Sequence, residues 1–447
     1  MKFPVPPPQQ DSHSEEITSP SSALAQDILP QEKLQRREKL WLLGFVLLPY
    51  ASYVGLVIFA ILFFQALWHR GQAVVKLCSQ LGFGWVALAM VISASNAAVN
   101  KGDALLQLTN FLPFFLFFGV VALEPAWKRQ SFAKLEMFAR AVLITAMPLF
   151  VLAIVQYLLK TDVIWDYRTQ RQLFSPWLMD RIYGGALDRA DAFFSNSNTL
   201  CAYLLMILGL GLGLLLKSMS LKSKPIVEIV AILLCGAAIF ATGSRMGLVV
   251  MLVLGAIALY AARRHRKVLF SGLFCGAIVA AAALTLGLGD RTLSLSMFQD
   301  DVRGPLWRFA GQLIAQRPWL GWGLGGLRSQ YVPYSIQEQP MLSHAHNFWL
   351  FLASEAGIPI MIGFTLVIGM ICYRSVRTFL QQPVTSSQRA VFLGYLLAFA
   401  SCVLYGIFDV VLFDSRLNVL SWSLLAAIYV LHRSATEEKG ATAKKRR

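Results

Sequence analysis

Apolar runs recur along the chain near 40–68, 81–97, 105–123, 137–159, 193–216, 226–241, 244–261, 268–288, 347–373, 390–412 and 416–431. Several reach the ~20 residues that carry an α-helix across a hydrocarbon core. Basic connectors separate many of them, at 33–39, 69–76, 128–134, 217–224, 263–267, 374–389 and 433–447. Lys and Arg flanking apolar spans mark the cytosolic side of a membrane helix. Placing every basic connector on that side requires 40–68 to cross twice. As one helix that run would be roughly 44 Å long, which is long for one span and tight for two. Pro49-Tyr50 supplies a turn. The pattern predicts an all-α, polytopic integral-membrane bundle of about twelve transmembrane helices with both termini cytosolic.

Composition agrees. The chain is 56% hydrophobic and 14% charged, with a mean hydropathy of +0.58, where a soluble chain carries about 25% charge. The formal net charge of +16 sits beside the apolar runs, so it reads as a topology signal and no nucleic-acid partner is expected. The six Cys (78, 201, 235, 275, 372 and 402) lie in or beside apolar segments without C-x-x-C spacing. That indicates neither a disulfide framework nor a zinc site. Residues 1–38 read as a polar, Pro- and Ser-rich disordered cytosolic tail, 39–432 as the transmembrane domain, and 433–447 as a basic cytosolic tail.

The alternation leaves 98–104, 160–192, 242–243, 289–346 and 413–415 on the outer side. The two long loops, 160–192 and 289–346, hold nine Arg (168, 171, 181, 189, 291, 303, 308, 317 and 328) and a single Lys, Lys160. Arg offers a planar fork that grips phosphate or carboxylate bidentately. Long translocated loops escape the positive-inside rule, so pairing with nearby Asp is the plainer account of any single Arg. Residues 301–317 read as an interfacial helix: Leu306, Phe309, Ala310, Leu313 and Ile314 form an apolar stripe beside Trp307. Pro318 ends it, and Gly321, Gly323, Gly325 and Gly326 follow as a turn-rich stretch.

Four groups of polar residues fall on the predicted outer face. They are Arg189 to Asn198 at the mouth of a span, Thr242-Gly-Ser-Arg245 in a short hairpin, Arg303-Gly-Pro-Leu-Trp307 with Pro318 to Gly323, and Ser343-His-Ala-His-Asn347. An Arg at membrane depth, such as Arg245, usually faces a bundle interior or water cavity. Snorkelling to the headgroups is its alternative. His344 and His346 stand at the mouth of the 347–373 run, and as mere polar caps they would need no further role. H-x-H supplies two metal ligands without a third at diagnostic spacing, so no metal is expected. Glu355 lies nine residues past His346, ~900° around a helix and therefore on the opposite face. It is expected to pack against another helix. Asp409, inside the 390–412 run, stays open between a packing and a proton-carrying role.

The ordered set R-x-x-x-F-x-x-N-x-N, T-G-S-R, R-x-x-x-W with P-x-x-G-x-G, and H-x-H-N-x-x-L with Glu355-Ala-Gly357 resembles the O-antigen ligase and polymerase superfamily over about 185–365. Ser197 departs from the family's usual Pro, and Asp191-Ala-Phe from its Gly-Thr-Phe. The resemblance implies an inverting, metal-independent membrane glycosyltransferase of the bacterial inner membrane, without a cofactor. Its donor would be a polyprenyl-diphosphate-linked glycan and its acceptor a lipid or glycan hydroxyl, met at the extracytoplasmic face among membrane lipids. By the same resemblance His346 would be the general base, and Arg189 and Arg245 would hold the diphosphate. Arg303, His344, Asn347 and Asn198 would contact substrate. The rival expectation is a transporter of a small anion such as bicarbonate, with Arg245, Glu355 and Asp409 along its path. The absence of an inverted repeat between the halves weighs against it.

Overall fold

The computed structural model describes residues 31–98, 100–128, 130–160, 189–221, 223–263, 303–331, 344–381 and 385–445, with isolated helical residues between 270 and 285. Residues 1–30 of the expected tail, most of the run at 268–288, and loop residues 161–188, 286–302 and 332–343 lie outside them. Among the described residues the regular structure is helical. The helices are α1 (Gln31–Leu47), α2 (Ser52–Leu81), α3 (Phe83–Ser95), α4 (Lys101–Gln107), α5 (Leu112–Ala122), α6 (Pro125–Lys128), α7 (Ser131–Thr145), α8 (Met147–Lys160) and α9 (Ser197–Ser220). They continue with α10 (Ile226–Ala241), α11 (Arg245–Ala261), α12 (Arg303–Gln316), α13 (Gly326–Tyr331), α14 (Phe348–Glu355), α15 (Ile358–Gln381), α16 (Ser386–Gly406) and α17 (Ser415–Lys445).

The 40–68 run folds as predicted into two helices, with Pro49 and Tyr50 in the turn between α1 and α2. Elsewhere helices run on through polar connectors. Helix α1 begins at Gln31, inside the stretch read as tail, α2 passes the basic 69–76 segment with a kink at Arg70, and α17 extends to Lys445. Among the described residues, six helical stretches are long and apolar enough to cross a membrane, and α3, α10 and α11 are shorter apolar helices. Among the described residues, the helices long enough to cross are therefore fewer than the twelve expected. The 347–373 run is broken. Gly357, at φ 102°, follows the end of α14, and only a residue without a Cβ fits there, because the Trp319 carbonyl oxygen lies 2.3 Å from where one would stand.

Helix α9 is the pillar: 89% of its apolar window is buried. It meets α16 backbone to backbone. A Cβ on Gly209 would lie 2.4 Å from the Ala398 nitrogen, and one on Gly213 would lie 2.4 Å from the Gly394 Cα. Small residues at such a crossing let two membrane helices approach closely. The outer helices reverse the soluble pattern. Tyr53, Val57, Ile61, Phe64 and Trp68 recur along one face of α2 and are exposed, as a lipid-facing surface requires.

The bundle has two poles. At one, ion pairs gather four of the basic connectors: Arg37 and Arg70 hold the buried Glu124, Lys134 meets Glu38, Lys217 meets Glu136, and Arg140 meets Glu228 at 2.7 Å. The other pole holds the polar groups predicted for the outer face.

Candidate functional site

Three of the predicted motifs are helix caps. Asn196 accepts from the Thr199 N–H at the start of α9, Ser244 from Gly247 N–H at the start of α11, and Asn347 from Leu350 N–H at the start of α14. Each side chain satisfies one of the backbone donors that a helix start leaves unpaired. The sequence thus turns three helix N-termini, with their partial positive charge, toward one region around the end of α16. Ser244 Oγ lies 3.0 Å from the Tyr405 hydroxyl, and Asn347 Nδ2 donates to the Ile407 carbonyl at 2.9 Å.

The predicted residues are linked there by one run of hydrogen bonds. Arg189 donates through Nε to the Thr242 carbonyl (2.7 Å) and through Nη2 to Asn198 Oδ1 (2.8 Å). Its side chain lies across Gly243, where a Cβ would stand 3.0 Å from Arg189 Cγ and the backbone is left-handed. Asn198 Nδ2 donates to Asp409 Oδ2 at 3.1 Å. Asp409 Oδ1 lies 2.9 Å from His346 Nδ1 and 3.4 Å from His344 Nε2, and accepts the Val410 N–H at 2.8 Å. The imidazoles are 4.7 Å apart, centre to centre. His346 itself has φ 45°, a left-handed backbone that costs a residue with a Cβ roughly 1–2 kcal/mol.

Asp409 is the residue that sequence reasoning left unassigned, and the reason is a misplaced helix end. Helix α16 stops at Gly406, so Asp409 lies in the connector beyond it, where it is buried. Burial alone would raise its pKa, but hydrogen bonds and charge from His344 and His346 outweigh that and hold the carboxyl well below the usual carboxylate range. Glu355 also differs from expectation. It is fully buried and faces the glycine-rich loop, accepting from the Gly325 (2.7 Å) and Leu327 (3.3 Å) N–H groups.

The remaining predicted residues have distinct places. Arg245 opens α11 directly after the capping Ser244. Arg303 opens α12, one turn before Trp307, whose indole donates to the Ala345 carbonyl between the two histidines at 3.0 Å. Asn347 uses Oδ1 and Nδ2 in hydrogen bonds within the protein, as Asn198 does. Two residues reinforce the site without having been singled out for it. The buried Lys160 donates to the Arg189 carbonyl at 2.9 Å. Gln156 Oε1 accepts the Ala192 N–H at 2.7 Å.

One face of the site opens on an apolar cavity of about 730 Å³. Asp409 lies at its wall beside Trp349 of α14, and Phe364, Val376, Leu380 and Val403 carry it along α15 and α16. His344, His346 and Asp409 could also hold a metal ion, since their ligand atoms lie within 4.8 Å of one another.

Residues 230–365 match the family model for O-antigen ligase, which supports placing the chain in the O-antigen ligase superfamily and membrane glycan ligation or polymerisation as its general activity. No curated protein matches the chain. The matched segment contains Arg245, Arg303, His344, His346 and Asn347 but neither Arg189, Asn198 nor Asp409. The fold joins these two sets of residues.

Proposed function

We propose that the protein transfers a glycan from a polyprenyl-diphosphate carrier to an acceptor hydroxyl at the extracytoplasmic face of the bacterial inner membrane, with inversion and without a metal. The observation carrying this reading is the hydrogen-bonded run Arg189–Asn198–Asp409–His346. It ties a cation suited to phosphate to an imidazole suited to take a proton.

His346 Nδ1–H donates a hydrogen bond to the Asp409 carboxylate, which fixes the tautomer and leaves Nε2 as the basic atom. As the acceptor oxygen attacks the sugar C1, its proton passes to Nε2. The bond from C1 to the diphosphate oxygen breaks, and the diphosphate leaves with the electron pair. Arg189 and Arg245 stabilise the charge that develops on it, with Arg303 as a third cation. Fixed donors aimed at developing charge lower a barrier because they need no reorganisation. The converging starts of α9, α11 and α14 add to the same anion-favouring field. The apolar cavity suits the isoprenoid part of the carrier.

The test is to delete the chromosomal copy and compare envelope glycans on a gel after complementation with wild type or His346→Ala. Loss or shortening of the glycan that His346→Ala fails to restore is expected. Arg245→Lys should also impair transfer, because a point charge replaces a fork. An unchanged profile in the deletion would overturn the reading and direct attention to anion uptake. Because the His–His–Asp cluster could bind a cation, transfer by purified protein should be measured with and without EDTA. Equal rates are expected, and loss restored by a divalent ion would replace the general base with a metal.

A further inference from the structure

A second cavity, of about 190 Å³, lies at the end of α15 away from Asp409, between α15, α17 and the end of α2. Leu81, Val367 and Ile371 line it with apolar surface, and Arg374 and Arg433 form a cationic rim beside His432. Arg374 stands sixteen residues beyond Ile358 in α15, about 24 Å along the axis, which places the rim near the opposite membrane surface.

The rim is cationic and incompletely balanced. Arg433 pairs at 3.2 Å with the exposed Glu437. His432 Nδ1 is bound to the Thr378 hydroxyl at 2.7 Å, and burial first, then the two guanidinium charges, act against positive charge on that ring. Arg374 has no carboxylate partner among the described residues. Both guanidiniums are exposed and line the same cavity, so an anion seated there is attracted by both.

Below the rim, Met370 belongs both to the cavity and to a stripe of exposed apolar residues on α15, Ile362, Leu366, Met370 and Tyr373. Cations above a continuous apolar track match an anionic amphiphile: a phosphate at the rim and an acyl chain along the helix. Basic pockets between membrane helices on the cytoplasmic side bind such headgroups. We infer that this cavity binds the phosphate of an anionic phospholipid of the inner leaflet, through Arg374 and Arg433. The inference rests on the membrane reading of the fold and not on glycan transfer, so failure of the glycan assay leaves it standing.

The test uses the full chain in nanodiscs of phosphatidylcholine alone or with phosphatidylglycerol, read by thermal unfolding and by lipid retained in native mass spectrometry. Phosphatidylglycerol should be retained in preference and should raise the melting temperature. Arg374→Gln and Arg433→Gln should each weaken retention about fivefold, the effect of one cation at a charged surface. Equal behaviour of wild type in the two membranes would overturn the proposal, and that arm decides even if a variant fails to insert. Inorganic phosphate that reproduces the stabilisation in phosphatidylcholine would also overturn it, in favour of a free-anion site.

Discussion

Asp409 Oδ1 lies within hydrogen-bond distance of both histidines, so its replacement is the sharpest residue-scale test. Asp409→Asn should lower transfer by about 10²-fold or more, within the range that general acid–base catalysis contributes. Membrane insertion and donor retention should persist, because the helices around it are held elsewhere. The same carboxyl predicts an acid sensitivity. Its folded pKa lies below the ordinary carboxylate value, so the stability it contributes is complete above about pH 4 and is lost as the pH falls further. A thermal melt of wild type against Asp409→Asn between pH 6 and pH 3 should show the larger loss in wild type. The left-handed His346 gives a second contrast. His346→Gly should be more stable than His346→Ala by roughly 1 kcal/mol in thermal unfolding, although both should be inactive. His346 was visible in the sequence because it interrupts the approach to an apolar run. Asp409 was visible only as an ambiguous charge. Its partner Asn198 lies 211 positions away, and neither spacing nor hydropathy reports a contact of that range.

At the scale of elements, the helix expected at 301–317 is present at Arg303–Gln316, with Leu306, Ala310 and Leu313 buried. Its stripe was legible because period 3.6 needs no partner to be recognised. What holds it was not. The loop after it docks on α14 through Trp322 N–H to the Ser354 carbonyl, Gly323 N–H to the Glu355 carbonyl, and Glu355 itself. Glu355→Ala strands the buried Leu327 N–H and the part-buried Gly325 N–H, and should cost about 1–3 kcal/mol for the buried donor and less for the other. Glu355→Gln keeps one acceptor and should be milder, as thermal unfolding in detergent would measure. The α9–α16 contact is less tolerant still. Gly213→Leu has no room beside Gly394 and should prevent recovery of folded, monodisperse protein.

For the whole molecule, the grouping of basic connectors at one pole and motif residues at the other was readable from charge alone. The number of crossings was not, because a charge count cannot tell a loop from a helix that continues through it, as α2 does past Arg70. The polarity has a direct check. A cysteine at the exposed Gln312 should react with a membrane-impermeant thiol reagent in intact cells, and one at the exposed Gln381 only after lysis, each above the parent chain's background. The reverse pattern would invert the proposed orientation.

The apolar cavity beside Asp409 is walled in part by residues that are themselves exposed, including Val253, Ile257, Val376 and Leu380, and in a bilayer that side faces lipid. A carrier would then arrive by sliding within the plane of the membrane. The rate should follow the fraction of carrier among the lipids and not its amount per millilitre. Adding inert lipid to a reconstituted assay, with enzyme and carrier held constant, should slow transfer, as encounters in two dimensions are diluted by area.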